Sequence, residues 1–365
     1  MRKEDICDAC AWIDDRYLVE ADLIRSKNTS FAYYVHRFGY IFLIPVTLCF
    51  VLAFQLMQPN LVPLHITDMD SSGHGVITAY AKDLNTFLEE NPWNADIKIN
   101  KLPVYKNEVT FGEHVVSEKR KQQMNDCLQP LAQYFHATEY FQTEDYSQVS
   151  ARNDEVEISV DENLSTLIYF YEPVDLPETY TFYSRATKEE LYNAGQYLTA
   201  QYQDILHFKD PVIVAKPQLS LYDPQSFELT SYELFAYEGD GSIEDKMLNY
   251  GTKRVQYYCN EKHQLDGIRI YYTDTEEMIG EYPILSIQEA KDVFLQKKTK
   301  IKDKDILKVE LVYEHRTNQE YVMPYYKFYV NNEDNLLVVD IPDDIHQMEV
   351  YSIPAVQTKY IEQKE

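Results

Sequence analysis

The chain has 365 residues, is 45% hydrophobic, and carries 34 Lys+Arg against 60 Asp+Glu, a net charge of −26. A surface this acidic repels phosphate backbones, which argues against nucleic-acid binding. Five cysteines are too few for a disulfide framework to replace a hydrophobic core.

The first 37 residues carry only −1 of that charge. Residues 4–24 predict a short amphipathic helix, with Ile6, Ala9, Cys10, Ile13, Tyr17 and Leu18 on one side and Glu4, Asp8, Asp15 and Arg16 elsewhere. So short a helix is marginal alone in water and needs its apolar stripe covered. Its polar face is acidic, so a protein partner fits better than anionic lipid. Ile6, Ile13, Tyr17 and Leu18 are the candidate partner-binding residues. Cys7 and Cys10 form a lone Cys-x-x-Cys without a second pair or a nearby His, and Cys10 fits the stripe as a small apolar residue.

Residues 38–57, FGYIFLIPVTLCFVLAFQLM, are uncharged, and no charged residue falls between Phe38 and His65. At about 1.5 Å per residue, those residues make a helix of about 30 Å, the hydrocarbon thickness of a bilayer. Pro45 is tolerable there. Roughly 37 residues before the apolar run and no small-x-small site after it argue against a cleaved signal peptide. Arg25, Lys27 and Arg37 flank the span on one side, whereas Asp68 and Asp70 precede the first Lys, Lys82, on the other. The positive flank places the N-terminus in the cytoplasm and the rest outside the cell membrane. The bilayer is therefore one expected partner.

The 308 residues after Met57 hold −25 of the charge and suffice for one large or two ordinary domains. Residues 58–100 read as a polar, Gly-punctuated tether. Within it Asp68-x-Asp70-x-Ser72-Gly73 has the start of a calcium loop, but Ala79 stands where the bidentate Glu is needed. Residues 101–240 and 241–365 are expected to form two α+β units. Ser117–Leu128 predicts a helix bent or ended by Pro130. Val156–Val160 and Leu164–Tyr171 predict strands around a turn at Asp161-Glu162-Asn163. Thr187-x-x-Glu190 is a capping box opening a helix with the stripe Leu191, Ala194, Leu198, Tyr202 and Ile205. Strands follow near 211–216 and 227–237, then a hairpin of Arg254–Cys259 with Ile268–Thr273 across Asp266-Gly267. A second capping box, Ser286-x-x-Glu289, opens a helix burying Ala290, Val293 and Phe294. Strands at 307–313, 325–330, 336–341 and 348–353 complete a helix lying on an antiparallel meander. Thirty-two tyrosines suit half-buried sheet faces, or a sugar- or peptide-binding surface. Cys127 and Cys259 are the only cysteines beyond the span, and their pairing is open.

Two segments carry a resemblance. ICDACAWIDDRYLVEA, Ile6 to Ala21, resembles the cytoplasmic leader of uncharacterised single-pass membrane proteins of Clostridia-like bacteria, with Ile-Asp-Asp followed by Tyr-x-x-Glu-Ala. GEYPILSIQEAKDVFL with KVELVY and MPYYKFYV is similar to the extracellular part of such proteins and to PepSY-like units of the YycH/YycI regulators. The resemblance rests on pattern and not on catalytic residues; it implies α+β units outside the membrane and a regulator acting on a sensor kinase through membrane contacts.

No His-Glu-x-x-His, Gly-x-Ser-x-Gly or phosphate-cradling Gly loop occurs, and no catalytic residue, metal or cofactor is expected. The reading is a regulatory or sensory membrane protein whose outer domain binds a protein or envelope partner. An envelope enzyme or enzyme-inhibitor module, and an anti-sigma-like factor, are the alternatives. Protease added to intact cells is expected to degrade the portion after Met57 and spare the leader; an untouched C-terminal portion on an immunoblot overturns this topology.

Overall fold

The computed structural model describes residues 61–67, 77–81, 91–107, 116–183, 186–217, 232–314, 320–331 and 346–364. The leader with Ile6, Ile13, Tyr17 and Leu18, the apolar run 38–57 and the Asp68–Asp70 motif lie outside these residues. Among the described residues, no helix is long and apolar enough to cross a membrane.

In chain order the elements are β1 (Leu64–Thr67), β2 (Ile77–Ala81), β3 (Lys101–Lys106), α1 (Glu118–Tyr134), β4 (Glu139–Gln142), β5 (Gln148–Arg152), β6 (Val156–Asp161) and β7 (Thr166–Asp175). Next come α2 (Lys188–Gln201), α3 (Gln203–Leu206), β8 (Pro211–Pro217), β9 (Tyr232–Glu238), α4 (Ile243–Thr252), β10 (Lys253–Cys259), β11 (Gln264–Tyr272) and β12 (Met278–Pro283). α5 (Ile287–Lys297), β13 (Ile306–Glu314), β14 (Tyr321–Asn331), β15 (His346–Pro354) and β16 (Ile361–Lys364) close the chain. The fold is α+β, with antiparallel sheets carrying a few helices.

Eight strands form one sheet in the order β4-β5-β6-β7-β11-β10-β9-β8. Residues paired across an antiparallel ladder share a face, so the register sorts the side chains. Ala151, Ile158, Ile168, Ile268, Tyr257 and Leu234 run across one face. That face is covered by α1 over β5 and β6, and by α2 over β8 and β9. Met124, Leu128 and Leu131 of α1 and Leu191, Ala194 and Leu198 of α2 fill the shared core. Gly195 lets α2 approach closely, since a Cβ there would lie 2.5 Å from the Ile213 side chain.

The second sheet runs β12-β3-β14-β15-β2, with β13 on β14, and α5 buries Ala290 and Phe294 against Leu311 and Phe328. The Phe294 and Phe328 rings stack at 4.5 Å. Both predicted capping boxes are formed, Glu190 and Glu289 each accepting from the N-cap amide at 2.8 and 2.7 Å. A third, Ser242 with Asp245, opens α4 after the Glu238–Gly241 loop.

Several expectations change. Residues 58–100 are not a tether throughout: β1 pairs in parallel with β16, β2 pairs with β15, and Leu64, Ile66 and Trp93 are buried. The cut at 240 falls inside the eight-stranded sheet, because β10 and β11 pair beside β9, while β3 belongs to the second sheet. α1 continues through Pro130 to Tyr134, ending where Phe135 N–H reaches Leu131 O, so one missing donor does not stop it. The β10–β11 turn lies at Asn260–His263, with Asn260 Oδ1 accepting from Lys262 and Gln264 amides. Gly267 is instead inside β11, where a Cβ would lie 2.9 Å from Ile168 O. The expected strand 336–341 lies outside the described residues. Cys127 and Cys259 are not bonded; each is a half-buried thiol.

Buried tyrosines tie the second sheet together. Tyr282 donates to Val62 O at 2.8 Å, Tyr313 to Pro103 O at 2.8 Å, and Tyr326 to Leu285 O at 2.7 Å. A buried hydroxyl needs such an acceptor. Tyr326→Phe is expected to cost about 1–2 kcal/mol by stranding the buried Leu285 carbonyl. The midpoint of denaturant unfolding should fall at unchanged slope, while Tyr134→Phe, 38% exposed, should leave it in place.

Candidate functional site

The opposite face of the eight-stranded sheet is only partly covered. At one end α4 lies on it, its Tyr250 packing on Phe235 and Tyr237 at 5.6 and 5.3 Å between ring centres. Toward β4 no helix among the described residues packs on this face, and it presents aromatic rings and guanidinium groups. Phe141 is 45%, Tyr169 44% and Tyr171 40% exposed. Tyr169 and Tyr171, two apart on β7, point the same way and meet edge to face at 5.9 Å.

The arginines are held on these rings. Arg152 sits 4.3 Å over Phe141 and 3.2 Å from Glu139. Arg254 lies 4.7 Å over Tyr271, and Arg269 5.9 Å from the same ring. Three of the six arginines after residue 57 thus share one sheet face in an otherwise strongly acidic protein. Buried Gln256 holds the ring ends, its Oε1 accepting from Tyr258 at 3.1 Å and Tyr271 at 3.0 Å. Burial pushes the Tyr258 hydroxyl up, with Tyr271 adding to the shift, so it stays a neutral donor. Tyr171 donates to Glu157 at 3.0 Å. Alternating Glu139, Glu157 and Asp161 leave the face mixed in sign rather than basic. Preset rings with paired guanidinium groups are what a protein contact uses, since little side-chain freedom remains to be lost.

The candidate partner residues Ile6, Ile13, Tyr17 and Leu18 lie outside the described residues, so the structure neither gathers nor separates them. The aromatic–arginine face escaped the sequence reading because it assembles from five strands. Its traces were Tyr169-x-Tyr171 and Arg269-x-Tyr271, alternations that packing explains equally well.

A cavity of about 350 Å³ opens between α1, α3 and the start of β10, lined by Cys127, Tyr134, His207 and Tyr272 among others. Burial pushes the Cys127 thiol up, Asp126 pushes it further, and Arg120 opposes. An activated thiol is shifted the other way. Among the described residues no three His, Cys, Asp or Glu side chains gather as metal ligands.

No family model matches the chain. No curated protein matches it either. Among solved structures it is similar to an uncharacterized protein from Eubacterium rectale ATCC 33656, at 10% identity and a TM-score of 0.36, over 71% of this chain and 84% of that one. Likeness at that level carries no argument about what this chain does.

The raised thiol has a direct readout. At pH 8, Cys127 is expected to alkylate at least about ten-fold more slowly in the native protein than in denaturant. Peptide-resolved mass spectrometry measures both rates, and equal rates mean the thiol is neither shielded nor held protonated.

Proposed function

We propose that this is a single-pass membrane protein of regulatory or sensory type. Its outer α+β body binds a protein or envelope partner, and its cytoplasmic leader contacts a signalling partner. The observation that carries the reading is the exposed Tyr169–Tyr171 pair beside Arg152 and Arg269, a composition suited to macromolecular contact. An apolar run able to span a bilayer, with cationic residues on its N-terminal side, supports the two-sided arrangement. α5 lies on the second sheet and α2 on β8–β9, each opened by a capping box, which supports an outer body built of α+β layers.

The enzyme reading has its best footing in the Cys127 cavity. The protonation of that thiol weighs against it as a nucleophile. The anti-sigma-like alternative shares the membrane topology and has no feature of the outer body to favour it.

Crosslinking in living cells separates the two contacts. Ile13→Asp is expected to reduce recovery of a cytoplasmic partner, and Tyr169→Glu that of an outer partner, each by at least about five-fold at unchanged membrane levels. Equal recovery from wild type and both variants counts against the proposal.

A further inference from the structure

β13 pairs with β14 and with no other described strand, so its second edge is unpaired among the described residues. Toward its C-terminal end that edge is closed by α4. The backbone approach is so tight that a Cβ at Gly251 would lie 2.4 Å from Tyr313 O. The other end, Ile306–Val309, stays accessible, with Leu307 39% exposed. An exposed strand edge offers a row of backbone donors and acceptors to any extended chain beside it.

This accessible stretch forms one wall of an open cavity of about 690 Å³, with Asn91, Trp93, Ala95, Ile287 and Lys291 opposite. Two donors on that opposite wall have no acceptor among the described residues. Trp93 is 6% exposed, and its indole Nε1–H is buried and unsatisfied. The Asn91 side-chain Nδ2 is likewise buried without a partner. Its orientation is fixed, because Asn91 Oδ1 accepts from the Trp93 amide at 2.8 Å and a flipped amide would set donor against donor. Buried donors normally find acceptors, so two orphans two residues apart mark a place for acceptor oxygens.

The chemistry narrows the occupant. A hydrocarbon chain offers no acceptor. A free anion would meet lysines already neutralised, Lys291 by Asp303 at 2.9 Å and Lys308 by Glu310. An uncharged extended peptide supplies carbonyls for the orphan donors, donors and acceptors for the strand edge, and alternate apolar side chains for Ile287, Ile306 and Val309. We propose that the Ile306–Val309 edge of β13 takes an extended peptide segment of a partner protein as an added strand. A small shift of the Asn91 and Trp93 side chains on binding uncovers Asn91 Nδ2 and Trp93 Nε1, and the peptide's carbonyls accept from them. This site is on the second sheet and does not depend on the aromatic–arginine face.

The chain holds two tryptophans, so Trp12→Phe leaves Trp93 as the sole reporter. The full-length variant in lipid nanodiscs is titrated with an end-blocked hexapeptide pool, X-Thr-X-Thr-X-Thr, with X drawn from Val, Ile, Leu and Phe. A saturable shift in Trp93 emission is expected. It should vanish with the backbone N-methylated pool, which cannot donate to a strand edge. Asn91→Asp keeps the cap on Trp93 N–H but removes the donor, and should weaken the response by at least about ten-fold. Leu307→Pro should abolish it by blocking the edge. If Leu307→Pro fails to fold, Asn91→Asp decides. Tyr169→Glu should leave the response unchanged. No shift at millimolar peptide, an equal response to the N-methylated pool, or a shift produced only by dodecanoate overturns the proposal, the last by revealing an acyl groove.

Discussion

The second sheet stands on strands recruited from far along the chain, and buried hydroxyl-to-carbonyl bonds hold them in place. Val62 and Tyr282 are joined across 220 positions, and Pro103 and Tyr313 across 210. Closing loops of that length costs entropy, so the early segment stays in register only while its strand pairs and side chains are buried together. A tyrosine serves both needs, because its ring fills the core while its hydroxyl satisfies a backbone oxygen that would otherwise be stranded. Tyr282, Tyr313 and Tyr326 are buried for this reason. Nine of the described tyrosines are buried, so the abundance of tyrosine is in good part structural.

α4 links the two sheets. Its Tyr250 packs on the first, its Met247 joins the core of the second, and Gly251 allows its last turn to meet β13 backbone to backbone. The helix thereby sets both functional proposals. It covers one end of the aromatic–arginine face and leaves the rest bare, and it closes one end of the β13 edge and leaves the other accessible. Both proposed surfaces therefore take their limits from a ten-residue element.

Where a local rule decides the outcome, the sequence was readable. Thr187 with Glu190 and Ser286 with Glu289 announce helix starts, because the reciprocal bonds involve only four neighbouring residues. The alternation of Val156, Ile158 and Val160 names a half-buried strand. Legibility failed where a distant partner decides. Leu64-His65-Ile66 is too short to announce a strand, and its burial comes from β16, almost 300 residues away. Asp266-Gly267 has ideal turn chemistry, yet Gly267 is needed inside β11, where the neighbouring strand leaves no room for a side chain. The surface of Phe141, Arg152, Tyr169 and Arg269 exists only once β4, β5, β6, β7 and β11 lie side by side. The leader residues Ile6, Ile13, Tyr17 and Leu18 remain a proposal from pattern alone.

The parallel pairing of β1 with β16 has a mechanical corollary. Leu64 sits level with Ile361 and Thr67 level with Lys364, so the two strands run in the same direction. Tension drawn through residue 61 against a hold at residue 364 slides one strand along the other. All the rungs between them then bear the load at once instead of parting singly as in a zip. That geometry makes the junction a shear latch, suited to a body pulled on through the chain that leads into it.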